Sequence, residues 1–142
     1  MKLQEMSEKT LKRDCLNLLR PQMPGAVVLN IENDGSVQTG VPDTFIAVFR
    51  RCCWIEFKYV DDKHPFKSRE IQKITCLRLA GACECWYVIY ENVGGRQATY
   101  IVHPKIVMYR DWKVYPAHFS PSIDHESVVK FIKDRFPAFA GT

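Results

Sequence analysis

Three side chains in the first half of the sequence have the types and spacing for metal-assisted chemistry on a phosphodiester. Asp43 follows Gly40-Val41-Pro42, and Glu56 and Lys58 sit two residues apart in the apolar run Trp54-Ile55-Glu56-Phe57-Lys58-Tyr59-Val60. Successive side chains of a β-strand point to opposite faces, so in a strand Glu56 and Lys58 share one face. Ile55, Phe57 and Tyr59 then form the core-directed face, and Trp54 and Val60 flank the charged pair on the other. Hard carboxylate oxygens are the ligands that Mg²⁺ takes, and a cation held this way orients a phosphate and activates a water. An acid-x-lysine triplet by itself is common, about one per chain of this length at average usage, and usually lies solvated on an exposed strand face. The apolarity of this run argues against exposure, because charges on a buried strand are costly unless paired or metal-bound.

The elements that must position these groups are readable from hydrophobic period and turn residues. Leu11, Cys15, Leu18 and Leu19 fall at helical spacing and predict a helix from Leu3 to Arg20, stopped by Pro21 and by Pro24-Gly25. Ala26 to Ile31 reads as a strand closed by the turn signal Asn33-Asp34-Gly35. Thr44 to Phe49 is a second strand, Arg50-Arg51 a tight connection, and Cys53 to Val60 a third strand. A short hairpin would lay the second strand beside the third and let Asp43 approach Glu56. Gly40 and Pro42 restrict the backbone leading into Asp43. After a polar loop from Asp61 to Lys67, Ser68 is the expected N-cap of a helix with Glu70 in its first turn, running to about Leu79 and ending at Gly81. Trp86 to Tyr90 and Ala98 to Val102 are strands around the hairpin turn Gly94-Gly95. A last helix runs from near Asp124 to Arg135, with Val128, Val129, Phe131 and Ile132 apolar and Phe136-Pro137 ending it. The order α-β-β-β-α-β-β-α predicts one α/β domain with a mixed sheet. The stretch from His103 to Pro121 has no clear pattern.

Composition narrows the class. The 142 residues are 46% hydrophobic and 25% charged, which suits one compact globular domain. A net charge of +4 permits a nucleic-acid partner without demanding one. The polar N-terminus carries no apolar signal core, so the six cysteines are expected as thiols in a reducing cytoplasm. No apolar run approaches the roughly 18 residues of a membrane span.

With these pieces in place, Gly40-Val41-Pro42-Asp43, Glu56-Phe57-Lys58 and Ser68-Arg69-Glu70-Ile71-Gln72 together resemble the motif set of the PD-(D/E)XK nuclease superfamily. More narrowly they resemble the virus-type replication-repair nuclease (VRR-NUC) family, over about residues 5 to 102. The resemblance implies a restriction-endonuclease-like α-β-β-β-α-β core with a central mixed sheet flanked by helices. It implies an endonuclease that hydrolyses DNA phosphodiesters with Mg²⁺, or Mn²⁺ in its place. Asp43 and Glu56 would bind the metal, the Phe57 carbonyl would add a ligand, Lys58 would act at the water or the phosphate, and Gln72 would support the site. A first-helix glutamate completes the site in many relatives. At about 100° per residue, Glu8 lies roughly 35° from the centre of the apolar stripe and Glu5 roughly 95°, so Glu8 is the inward candidate. Small stand-alone members resemble Holliday-junction resolvases, which implies branched or junction DNA as substrate and a homodimer acting from the cytoplasm, or the host's cytoplasm for a viral protein. A flap or nicking nuclease and an inactive nucleic-acid-binding module on the same fold are the alternatives.

Lys63, Lys67, Arg69 and Lys73, with His64, follow the third strand closely enough to grip phosphates beside such a site, or to form a solvated basic loop. Arg50 and Arg51 offer the same choice at a hairpin end. Cys83-x-Cys85 lacks the spacing of a zinc pair, so buried or boundary thiols are expected there. Trp86, Tyr87 and Tyr90 read as packing rather than base-stacking residues. Residues 103–142 fall outside the resemblance and are expected to be an extension, a dimer surface or a DNA-contacting element.

Overall fold

A computed structural model of the chain describes residues 6–31 and 40–142. The helix α1 covers Glu8–Leu19 and continues into a 3₁₀ turn, Arg20–Gln22, where Pro21 ends the α-helical bonding. The remaining elements are β1 (Val27–Asn30), β2 (Thr44–Val48), β3 (Arg51–Asp61), α2 (Glu70–Ala82), β4 (Glu84–Val93), β5 (Arg96–Val102), α3 (Pro104–Tyr109), β6 (His118–Ser120) and α4 (His125–Asp134). The strands form one six-stranded sheet in sequence order, antiparallel everywhere except between β3 and β4. That single parallel pair follows from α2, which carries the chain back to the starting end of the sheet before β4 begins. The fold is α/β, with a mixed sheet flanked by helices, as the element order predicts.

Strand alternation sorts β3 between two layers. Cys53, Ile55 and Phe57 are fully buried against Leu11, Cys15 and Leu19 of α1 and Val128, Val129 and Ile132 of α4. Val60 belongs to the other layer, in a cluster with Cys76 of α2 and Val107 of α3, and the partly buried Trp54 packs against that cluster. Glu56 and Lys58 have the same parity as Trp54 and Val60 and so share that second face. Both faces of β3 are covered, which is why the strand tolerates so little polar surface. Residues 103–142 complete this core, since α4 supplies three of its buried side chains, Val128, Val129 and Ile132, and Phe136 just beyond the helix supplies another.

Local chemistry accounts for most boundaries. Ser7 caps α1 through a capping box: its hydroxyl accepts from the Thr10 N–H and the Thr10 hydroxyl accepts from the Ser7 N–H. The helix therefore begins at Glu8 and not at Leu3, and Leu3 itself lies outside the described residues. Its buried stripe is Leu11, Cys15, Leu16 and Leu19, with Leu18 only partly covered. The turn expected at Asn33-Asp34-Gly35 also lies outside the described residues. Val48 pairs with Arg51, so the β2–β3 connection is the two-residue turn Phe49-Arg50, with φ of 51° and 63°. Gly94 and Gly95 make the same two-residue, positive-φ turn between β4 and β5, with φ of 60° and 76°. Asp124 caps α4 by accepting from the Ser127 N–H.

Two expectations need correction. Ser68 does not cap α2; Arg69 holds the N-cap position without a side-chain bond, and the helix runs past Gly81 to Ala82. The Ser68 hydroxyl is instead committed to a side chain, Gln72. The unpatterned stretch after His103 contains α3 and the edge strand β6. These elements are six and three residues long, too short to show a periodic pattern. Among the described residues, no helix is long and apolar enough to cross a membrane.

Candidate metal centre

Asp43 stands one residue before β2, and its main chain is fixed on both sides. Its carbonyl accepts from the Ile31 N–H at 2.6 Å, and its own N–H donates to Glu56 Oε2 at 3.1 Å. The antiparallel register that pairs Thr44 with Ile55 thus delivers Asp43 to Glu56 across the β2–β3 ladder. Gly40 sets the approach. Its φ is +70°, and a Cβ there would lie 2.7 Å from the Ile71 carbonyl oxygen of α2. The glycine lets the segment before Asp43 lie directly on the first turn of the helix that carries Gln72.

Glu8, Asp43 and Glu56 each place a carboxylate oxygen within 4.8 Å of the other two. They come from the start of α1, the entry to β2 and the middle of β3. Glu56 is only 4% exposed, Asp43 is partly buried and Glu8 is exposed. Glu8 is therefore less inward than the helical angle predicts. As the first residue of α1 it sits at the rim, on the solvent side of the cluster. Glu5 lies outside the described residues.

The two inner acids are hard to ionise. Burial pushes Asp43 up to about 6, with Lys12 and the Thr44 hydroxyl opposing the rise and Glu8 adding to it. Burial pushes Glu56 up to about 8; the neighbouring Asp43 adds to this and Lys58 opposes it. Lys58 Nζ stands 3.6 Å from Glu56 Oε1, and Lys12 Nζ stands 3.7 Å from Asp43 Oδ2. Thr44 donates its hydroxyl to Asp43 Oδ1 at 2.9 Å. The Phe57 N–H also hydrogen-bonds the Asp43 carboxylate. A strand residue's N–H and C=O leave on the same edge, so the Phe57 carbonyl faces the Asp43 edge as well.

An anionic set of hard oxygen donors, two of them driven toward the protonated state by burial and by neighbouring acids, is what a divalent cation relieves. The donor set therefore fits Mg²⁺. Among the described residues this is the only group of three such side chains close enough together to hold a metal. All six cysteines are free thiols.

Gln72 is buried on α2, and its Oε1 accepts from the Ser68 hydroxyl at 2.8 Å. That hydroxyl also bonds the Tyr87 hydroxyl at 3.0 Å, and Tyr87 is the β4 partner of Glu56. Gln72 is thus anchored to the strand beside the acids. Lys63, Lys67 and Arg69 are exposed on the chain leaving β3, and Lys73 is half-buried on α2. Asp61 and Asp62 order that chain. Asp61 accepts from the Lys63 and His64 N–H groups and from His64 Nδ1, and Asp62 accepts from the Gly94 N–H. A cleft of about 580 Å³ opens beside Glu8, between Ser7, Tyr59, Asp61 and His64. Tyr87 and Tyr90 are buried, as packing residues should be.

Sequence reasoning missed Lys12 and Thr44. Lys12 lies one helical turn after Glu8, at i+4, a spacing that places it on the Glu8 side of α1 but does not reveal Asp43 as its partner. Thr44, adjacent to Asp43 and fully buried, carried no signal beyond its strand position.

No protein-family model matches the chain, and no curated protein matches it. The fold and the site define an α/β protein with a candidate metal centre at the β2–β3 ladder.

Proposed function

We propose that this protein is a metal-dependent DNA endonuclease that hydrolyses phosphodiester bonds in branched DNA. One observation carries the reading: Glu8, Asp43 and Glu56 converge from three separate elements to within 4.8 Å, with the Lys58 ammonium 3.6 Å from Glu56. Three acids and a lysine at one strand edge form a metal-assisted hydrolytic constellation, and the resemblance of the motifs to the VRR-NUC family gives it a substrate class. Glu8, Asp43 and Glu56, with the Phe57 carbonyl, would hold Mg²⁺ or Mn²⁺. The bound ion would supply Lewis-acid charge at the phosphate and acidify a water.

The chain's own residues do the rest. Lys58 meets the negative charge that grows on the phosphate. Lys12 and Thr44 hold Asp43 in place. Gln72, tied to Ser68 and Tyr87, keeps α2 seated over Glu56. Lys63, Lys67, Arg69 and Lys73 lie along the path by which a DNA backbone would leave β3. Cutting both strands of a two-fold junction needs two sites, so the acting species is a homodimer.

The test is incubation of the protein with labelled four-way junction, flap, single strand and linear duplex in Mg²⁺ or Mn²⁺, beside Asp43→Ala and Lys58→Ala. Cleavage of the junction by the wild type, lost in both variants, is expected. Preference for the flap makes it a flap or nicking nuclease. No cleavage of any substrate ends the enzyme reading and leaves a binding module. Light scattering on the eluting protein, alone and with junction, tests the dimer.

A further inference from the structure

A second cleft, of about 610 Å³, opens on the same sheet face as Glu56 and Lys58 but over β4, β5 and β6. Its size suits a nucleotide. Register ties it to the metal centre: Lys58 pairs with Ile89, Ile89 with Tyr100 and Tyr100 with Phe119, so all four lie on one row of one face. Phe119 is three strand spacings from Lys58 along that row, roughly 14 Å. Ile89 and Tyr100 between them are buried, so a strand joining the two sites would run over the Phe66 and Trp112 side chains packed against that cluster.

The cleft's lining suits such a strand. Phe119 is 51% exposed, against the largely buried Tyr100, with ring centroids 5.2 Å apart. Its free face is a stacking platform. Arg96 lines the same cleft and is exposed. The one acid there, Glu91, is buried, and the Lys113 ammonium meets it at 2.6 Å. That pairing removes the local negative charge and holds Lys113 5.5 Å from the Trp112 ring. The cleft is thus left with a net cation and an aromatic wall, complementary to a base and its phosphate. Ring contacts connect it to the basic loop after β3: Tyr100 meets Trp112 at 5.0 Å, and Trp112 meets Phe66 at 5.4 Å. Phe66 sits in the loop between Lys63 and Lys67.

We infer that this cleft binds an unpaired nucleotide of the DNA held at the metal centre, with the base stacked on Phe119 and the phosphate paired with Arg96. The inference rests on the nuclease reading and, within branched DNA, favours a substrate that carries a single-stranded arm, such as a flap, over a fully paired junction.

The test is a fluorescence titration of the full chain in EDTA, which suppresses metal-dependent cleavage. Oligo(dT) and a duplex of equal length are compared, and the responding tryptophan is assigned with Trp112→Phe. Oligo(dT) is expected to quench Trp112 and to bind more tightly than the duplex. Phe119→Ala should weaken oligo(dT) binding about tenfold while leaving the duplex unchanged. Arg96→Ala should reduce the salt slope by about 0.7. Both side chains are exposed, so circular dichroism should show both variants folded. Wild-type affinity in both variants, or equal losses for single strand and duplex, overturns the inference. The two readings fail separately. Phe119-dependent binding in a chain that cuts nothing sinks the nuclease and keeps the cleft's ligand. Cleavage of branched DNA untouched by Phe119→Ala sinks the cleft alone.

Discussion

Asp43 and Glu56 are placed where ionisation is opposed, and that makes the metal-free protein sensitive to pH. Their carboxyls rise to about 6 and about 8, first through burial, and Glu56 further through Asp43. An acid whose pKa is higher folded than unfolded stabilises the fold fully below its unfolded value, near 4. That contribution is lost as pH climbs through the folded values. In EDTA the unfolding midpoint should therefore fall between about pH 5 and about pH 9, apart from the titration of other groups. Glu56→Gln keeps an acceptor for the Asp43 N–H, removes the buried charge and should raise the midpoint at about pH 9 by a few degrees, and by less at about pH 5. An unchanged midpoint in Glu56→Gln at the higher pH would sink this account. An ion bound by these acids would need them ionised, so Mg²⁺ should raise the wild-type midpoint more at about pH 8 than at about pH 5, and scanning calorimetry reads both.

At the scale of elements, two backbone positions decide whether the strands deliver their side chains. Gly40 has a left-handed φ and no room for a methyl against Ile71. Gly40→Ala should destabilise the protein by about 2 kcal/mol or more, combining backbone strain with overpacking. Urea denaturation measures this. Because Gly40 seats the Asp43 segment on α2, activity should fall with it. The Phe49-Arg50 turn places two ordinary residues at positive φ, where asparagine and glycine are favoured. Arg50→Gly should stabilise the fold by about 1 kcal/mol by relieving the left-handed strain. A lower denaturation midpoint in that variant would show that the arginine makes a contact outweighing its strain. Phe49 is a poorer choice for replacement, since its ring stacks on Phe139 at 6.3 Å.

At the scale of the whole molecule, the formal charge of +4 is too small to dominate binding. Local sign matters more. Three acids in one cluster repel a phosphodiester until a cation reverses the field. DNA affinity should therefore rise when Ca²⁺ replaces EDTA, and a filter-binding or anisotropy titration with junction DNA measures the change. Equal affinity in the two conditions would mean that the acids and the DNA do not meet. The folded chain also shows why residues 103–142 cannot be a loose appendage. α4 packs on α1, the helix that carries Glu8 and Lys12, and β6 pairs with β5 to form the edge where the second cleft opens.

Much of the fold was legible because it rests on local rules. Alternation along Trp54 to Val60 put Glu56 and Lys58 on one face, the Gly94-Gly95 pair marked its hairpin, and Asp124 marked the start of α4. The short elements after His103 were not legible, since six and three residues carry no period. Ser68 was misassigned because a hydroxyl before a helix looks the same whether it caps the backbone or binds Gln72 and Tyr87. Lys12 was invisible as a partner of Asp43 because the two are brought together only when α1 docks beside the β2–β3 ladder. Residue types and their spacing by themselves determined which groups are available for metal chemistry and which strand face carries them. Which of those groups meet, how deeply each is buried and how far each carboxyl is pushed from its ordinary pKa were decided only by tertiary packing. Distance and desolvation are properties of neighbours in space, and neighbours in space are not neighbours in sequence.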